Sequence, residues 1–187
     1  MINPWLNCPK ESPYILPTDL SILDNLTSRL VGTAQLRFEV VPMPFVGNPL
    51  TTKVILLALN PGFKQEDIQI HKDKPDLLKA DINNLTFKNN PSFYALNERF
   101  AYSGLFKWWN RRTKELINIL GREKVANSIA CIQLFPYHSI SYYPLKKLLP
   151  SQQYSFYLVR EAIRQKKVIV IMRSKSLWIK SIPELQD

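Results

Sequence analysis

Three short runs along the chain are apolar at consecutive positions rather than at alternate ones: Lys53 to Leu59 (KVILLAL), Ile129 to Phe135 (IACIQLF) and Lys166 to Met172 (KKVIVIM). A strand covered on both faces needs apolar side chains pointing both ways, so each run predicts a buried strand of a parallel sheet. Helical periods lie between them. Thr18 to Leu30 sets Leu20, Leu23, Leu26 and Leu30 at near-helical spacing behind a capping-type residue. Ser103 to Gly121 predicts one long helix, with Ser103 as cap, Leu105, Trp108, Trp109, Leu116 and Leu120 as its apolar side, and Gly121 as its stop. Ser151 caps another, running to Gln165, and Ser174 to Ile182 reads as a last short one. Asn90 followed by Pro91 reads as a further helix start.

The remaining segments are less regular. Residues 1–17, rich in proline, read as an extended arm. Arg37 to Thr52 carries Pro42, Pro44, Gly47 and Pro49 and reads as an extended edge segment and loop, because proline has no N–H for a ladder. Phe63 to Asn90 is polar and mixed in sign, a long excursion with one short helix, and long connections of this kind often carry function. Strands alternating with helices imply crossover connections. The predicted class is α/β: a three-layer α/β/α sandwich with a mainly parallel central sheet. It spans residues 1–187 as one domain, with residues 1–37 as an N-terminal arm and helix.

Open parallel sheets bind ligands at the carboxyl ends of their strands. Three such ends are predicted to share one rim: Asn60-Pro61-Gly62-Phe63, Gln133 to Ser139, and Arg173-Ser174-Lys175. Phe63, Phe135 and Tyr137 can stack on a flat heterocycle, an amide can pair with its hydrogen-bonding edge, and Arg173 and Lys175 can hold phosphates. Plainer readings stand beside these. Asn60 and Gln133 can be ordinary polar strand ends, and Tyr137 and His138 a packed, hydrogen-bonded turn. Trp108 and Trp109 read as helix packing, and Arg111, Arg112 and Lys114 as a solvated face.

Composition narrows the chemistry. With 25 Lys and Arg against 15 Asp and Glu the net charge is +10, which points to a polyanionic partner, nucleic acid first. Only Cys8 and Cys131 are cysteines, too few for a four-cysteine zinc or iron–sulfur site, and their number fits a reducing cytoplasm. Cys131 reads as a buried packing thiol. His71 and His138 are the only histidines and have no partner at ligand spacing, so no metal is expected. No G-x-G-x-x-G and no P-loop occurs, so no nucleotide cofactor is expected either. Ser139 follows His138 directly, and neighbours in an extended segment point to opposite sides, which disfavours a triad. No apolar stretch reaches membrane-spanning length, and the N-terminus lacks a signal-peptide pattern.

LLALNPGF (Leu56 to Phe63) resembles the first motif of the uracil-DNA glycosylase superfamily, in which an apolar strand runs into Asn-Pro-Gly. IACIQLFPYHS resembles that family's second central strand, ending in an amide with a proline three positions later, here Gln133 and Pro136. KKVIVIMRSKSLW resembles the next strand and helix. The resemblance implies a DNA partner, single- or double-stranded, and hydrolysis of an N-glycosidic bond without a metal or cofactor. It implies that Asn60 positions water against C1′ of the nucleotide and that Pro61 and Gly62 shape a turn facing the ligand. Phe63, or an aromatic from Pro91 to Phe100, would stack on the extruded base, and Gln133 would read its edge in place of the usual Asn. No His-Pro-Ser or Asn-Pro-Ser loop follows Met172. The resemblance therefore implies a reduced member or a protein that continues beyond Asp187. A non-catalytic nucleic-acid-binding protein on the same fold, and a hydrolase or binder of free nucleosides, remain as alternatives.

Overall fold

Strands that are apolar on both faces require two cores, and the structure, a computed structural model that describes residues 1–27 and 30–186, has two separate clusters of buried apolar side chains. Among the described residues there are four strands, β1 (Phe45–Val46), β2 (Val54–Ala58), β3 (Ile129–Gln133) and β4 (Val168–Ile171). Their order in the sheet is β1-β3-β2-β4. β3 and β4 both run parallel to β2, and β1 lies antiparallel on the outside of β3. The fold is therefore α/β with a mixed, mainly parallel sheet. Among the described residues eight α-helices accompany it: α1 (Leu20–Thr27), α2 (Gln65–Asp73), α3 (Pro75–Leu85), α4 (Gly104–Arg112), α5 (Lys114–Leu120), α6 (Arg122–Ser128), α7 (Gln152–Arg164) and α8 (Lys175–Ser181).

Period-two alternation sorts the strand residues between the cores. Ile55, Leu57, Ala130 and Ile132 join Phe156 and Val159 of α7 and Trp178 of α8. Ala58, Ile129 and Cys131 join Trp109 of α4 and Val125 of α6, together with Phe93. The register sets Ala58 beside Gln133 and Leu57 beside Ile171, so β2, β3 and β4 end at one level. The N-terminal arm belongs to the fold. Trp5 is fully buried, its ring meets Tyr137 edge-on, and Asn3 donates to the Leu85 carbonyl.

Several elements differ from the pattern-based expectation. The run ending at Met172 is not buried on both faces: β4 is an edge strand, with Val168 59% and Val170 43% exposed. A run of consecutive apolar residues does not distinguish an edge from a centre. The excursion after Phe63 holds two helices, α2 and α3, rather than one. Asp67 accepts from the Lys64 N–H at the start of α2, and Pro75 occupies the first turn of α3. The helix start read at Asn90-Pro91 is absent; two single 3-10 turns, Tyr94–Leu96 and Glu98–Phe100, occupy that stretch.

The helix read over Ser103 to Gly121 is interrupted at Thr113, whose hydroxyl donates back to the Trp109 carbonyl at 2.8 Å. Past the break the predicted apolar side is not covered, and Leu116 and Leu120 are exposed. Ser103 does cap α4, accepting from Phe106 N–H, and Gly121 ends α5 at φ 82°. Ser151 makes no side-chain cap on α7; Gln152 instead accepts from the Leu149 N–H. α1 ends at Thr27, and Ser28 and Arg29 of the predicted helix lie outside the described residues. Among the described residues no helix is long and apolar enough to cross a membrane.

Candidate functional site

Where β2, β3 and β4 end together the structure has a cavity of about 380 Å³, within the range of small-molecule sites. Asn60, Pro61, Gly62 and Phe63 line it from the end of β2, Gln133 and His138 from β3 and its loop, and Met172 and Arg173 from β4. Its floor is apolar, with Met43, Ile70, Leu77 and Leu105 among the lining residues.

Asn60 is held by one end of its amide. Nδ2 lies 3.0 Å from Ser139 Oγ, 3.2 Å from the Ser139 carbonyl and 3.1 Å from the Pro61 carbonyl. Ser139 is itself fixed, its hydroxyl donating to the Ser141 carbonyl and its N–H to the Pro61 carbonyl. Asn60 Oδ1 has no hydrogen-bond partner among the described residues, so it is free to accept from a ligand or water. Gln133 is 6% exposed, and its Oε1 is buried with no partner. An unmade hydrogen bond of that kind costs about 1–3 kcal/mol, which a ligand N–H or O–H would recover once the amide rotates toward the cavity.

Of the remaining predicted residues, some reach the cavity and some do not. Phe63 reaches it but is not a bare stacking surface: it is buried, and the Arg37 guanidinium sits 5.0 Å from its ring centre. His138 reaches it as a strut. Its Nδ1 is 2.7 Å from the Gly62 carbonyl and its Nε2 3.0 Å from the Val41 carbonyl, tying the turn to the proline-rich segment. Burial pushes the His138 pKa down, against the pull of the Gly62 carbonyl.

Phe135 and Tyr137 lie outside the cavity lining. Both are buried in the core that contains Trp178, where their rings meet edge-on, and Tyr137 donates to the buried carboxylate of Asp19. The backbone after Gln133 stays bonded to the end of β2, Leu134 N–H to the Ala58 carbonyl and Phe135 N–H to the Leu59 carbonyl, and these two rings go to the core. Ser139 stands behind Asn60 rather than at the cavity wall. Lys175 is exposed at the start of α8, outside the cavity lining, while Arg173 is part of it.

The cavity also contains residues that pattern reading left out. His71 of α2 and Asp81 of α3 line it together, with Nε2 3.0 Å from Asp81 Oδ2 in an ionic contact too bent for a good hydrogen bond. His71 Nδ1 lies 2.8 Å from the Asp67 carbonyl, and the Tyr94 hydroxyl donates to Asp81 Oδ1 at 2.5 Å. Both ring nitrogens therefore face oxygen acceptors, an arrangement that suits the imidazolium. Burial alone lowers the His71 pKa, but Asp81 and the Asp67 carbonyl outweigh it, and the net shift is upward. Trp108 also faces the cavity, its ring edge-on to the buried Trp109, with the Arg112 guanidinium 5.3 Å from its centre. Lys64, Arg112 and Arg173 give the lining three basic side chains. Among the described residues no cluster of three or more His, Cys, Asp or Glu side chains could hold a metal ion.

Comparison with protein-family models, with curated proteins and with solved structures gave no match. The functional reading therefore rests on the cavity itself.

Two outcomes follow from this geometry. Gly62 lines the cavity without a positive φ, and a Cβ built on it meets nothing within 4 Å. Gly62→Ala is expected to leave the unfolding free energy in urea within about 0.5 kcal/mol of wild type, while weakening any ligand that lies against the turn. A clear loss of stability in denaturation would show that the turn needs glycine for the fold. The His71–Asp81 contact gives a pH dependence. The folded-state pKa of His71 is above its unfolded value, so the contact stabilises fully below about pH 6.5. That contribution is lost as pH rises through the folded pKa. Urea titrations from pH 6 to pH 9 are expected to show stability falling in wild type and a flatter profile in His71→Gln; equal slopes would remove the imidazolium from the account.

Proposed function

We propose that the cavity receives a single nucleobase extruded from DNA and that the protein hydrolyses its N-glycosidic bond, on a three-layer α/β/α frame of the uracil-DNA glycosylase type. The observation that carries this reading is the pair of amides at the ends of neighbouring strands. Asn60 is anchored through Nδ2 with Oδ1 free, and Gln133 has a buried acceptor without a partner, both in one cavity. Gln133 then hydrogen-bonds the base edge, and Trp108, rather than Phe135 or Tyr137, offers it an aromatic surface. Asn60 Oδ1 accepts from a water aimed at C1′. The water oxygen forms the new bond to C1′ as the C1′–N bond breaks. The electron pair leaves with the base, and the water proton goes to solvent or to the departing base. Such a step draws on positioning and on electrostatics at developing charge rather than on a strong base.

The DNA backbone is held by the basic surface of a chain with net charge +10, with Lys64, Arg112 and Arg173 nearest the base. Both cysteines are free thiols, as suits work in a reducing cytoplasm. The test is incubation with a panel of single- and double-stranded oligonucleotides carrying deaminated or alkylated bases, followed by hot alkali. Strand breaks at one class of modified base are expected. Salt-sensitive binding with no break on any substrate selects a non-catalytic DNA-binding protein instead. Thermal stabilisation by free nucleosides without oligonucleotide binding selects a small-ligand protein.

A further inference from the structure

The outer edge of β4 has no partner among the described residues. β4 is last in the sheet order and pairs only with β2. Val168 and Met172 donate their N–H groups to the Lys53 and Leu57 carbonyls of the β2 side. Backbone alternation therefore turns the N–H and C=O groups of Ile169 and Ile171 outward. On one sheet face Val168 stands beside Val54 and Val170 beside Leu56, and the two β4 valines are 59% and 43% exposed. Natural edges are usually blunted by an inserted charge, a proline or a bulge. The stretch from Val168 to Met172 has no charged residue, proline or glycine.

Charge says what fits this edge. No Asp or Glu occurs from Ala162 to Pro183, and Lys166, Arg173 and Lys175 stand exposed at the two ends of the strand. A second copy is a poor occupant. Antiparallel pairing of two β4 edges would bring the basic ends of one copy's strand against those of the other, and each chain carries +10. We propose that β4 is a strand-addition site for a partner protein, which supplies an extended segment with β-branched residues at alternate positions and acidic residues at both ends. Its backbone pairs with Ile169 and Ile171, its apolar side chains cover Val168 and Val170, and its carboxylates meet the flanking cations. Main-chain bonds give such docking its affinity, and side-chain alternation and end charge its specificity. Of the residues that would meet the partner only Arg173 also lines the cavity, and Val168 to Ile171 lie outside it.

The test is phage display of random nonapeptides against the intact protein, followed by synthesis of the enriched sequence. Alternating β-branched cores with acidic ends are expected, with binding by fluorescence anisotropy that weakens as salt rises. The double substitution Val168→Lys and Val170→Lys is expected to weaken that peptide by at least roughly tenfold. Ile119→Lys on α5, at a residue 77% exposed, should leave it unchanged. On wild-type protein the peptide should slow amide exchange at Ile169 and Ile171, a readout independent of whether the lysine variant folds. Enrichment of no motif, or of one without acidic ends, overturns the proposal. Unchanged exchange at Ile169 and Ile171 also overturns it. A dimer in sedimentation that the lysine pair abolishes overturns it in favour of a second copy.

Discussion

Trp178→Ala is expected to cost about 3–5 kcal/mol of folding free energy, the range for removing a large aromatic from a packed core. Trp178 is fully buried, packs edge-on against Phe156, and donates its indole N–H to the Ala58 carbonyl at 3.0 Å. Most of the loss comes from the cavity left behind, because the Ala58 carbonyl keeps a second donor in the Leu134 N–H. Trp178→Phe separates the two contributions: it retains most of the packing, loses the hydrogen bond, and should cost about 1–2 kcal/mol. Against a total stability of about 5–15 kcal/mol the alanine variant would stand near its folding threshold. Urea midpoints of the three proteins decide it; an alanine loss below about 1 kcal/mol would mean that α8 does not hold this sheet face. Ala58 precedes Leu59 and Asn60, so Trp178 also pins the strand end that presents the cavity amide.

The sheet and its rim were readable because the information is local. Val54 to Ala58 and Ile129 to Ile132 are apolar throughout, and Asn60 and Gln133 are the first polar groups after them. What escaped the pattern depends on tertiary placement. The hydropathy of β4 matches that of the central strands, and only its place in the sheet order exposes Val168 and Val170. Phe135 and Tyr137 carry the chemistry of a stacking surface, yet their direction depends on where the backbone turns after Gln133. His71 and Asp81 meet only because α2 and α3 fold against one another across Lys74. One signal was available: Asp67 and His71 stand four apart, on one side of α2, within a long polar segment leaving a strand end. The adjacent tryptophans follow a similar geometry. Neighbouring helical positions point about 100° apart, so Trp109 enters the core while Trp108 faces the cavity.

Asn60→Ala is expected to lower base release by about 10²–10³-fold, the loss seen when one preorganised polar group is removed from a transition state. The fold should be little affected. The amide is half-buried, and the three acceptors around Nδ2 include a hydroxyl and two carbonyls, of which the Pro61 carbonyl keeps the Ser139 N–H. Loss of these contacts costs about 1 kcal/mol. Asn60→Asp tests the orientation. It retains an acceptor for water but replaces Nδ2 with an oxygen facing the Ser139 and Pro61 carbonyls, so the side chain should rotate away and the rate should fall with it. Ser139→Ala removes one anchor, the hydroxyl 3.0 Å from Nδ2, and leaves the carbonyl at 3.2 Å. Its loss should be smaller and lie in kcat rather than in oligonucleotide affinity. Single-turnover rates with saturating enzyme, beside anisotropy for DNA binding, separate these effects. If Asn60→Ala releases base at the wild-type rate, water positioning by this amide is wrong even though the cavity still binds DNA. If oligonucleotide binding falls with the rate, Asn60 contacts the ground state, and Gln133 becomes the next residue to vary.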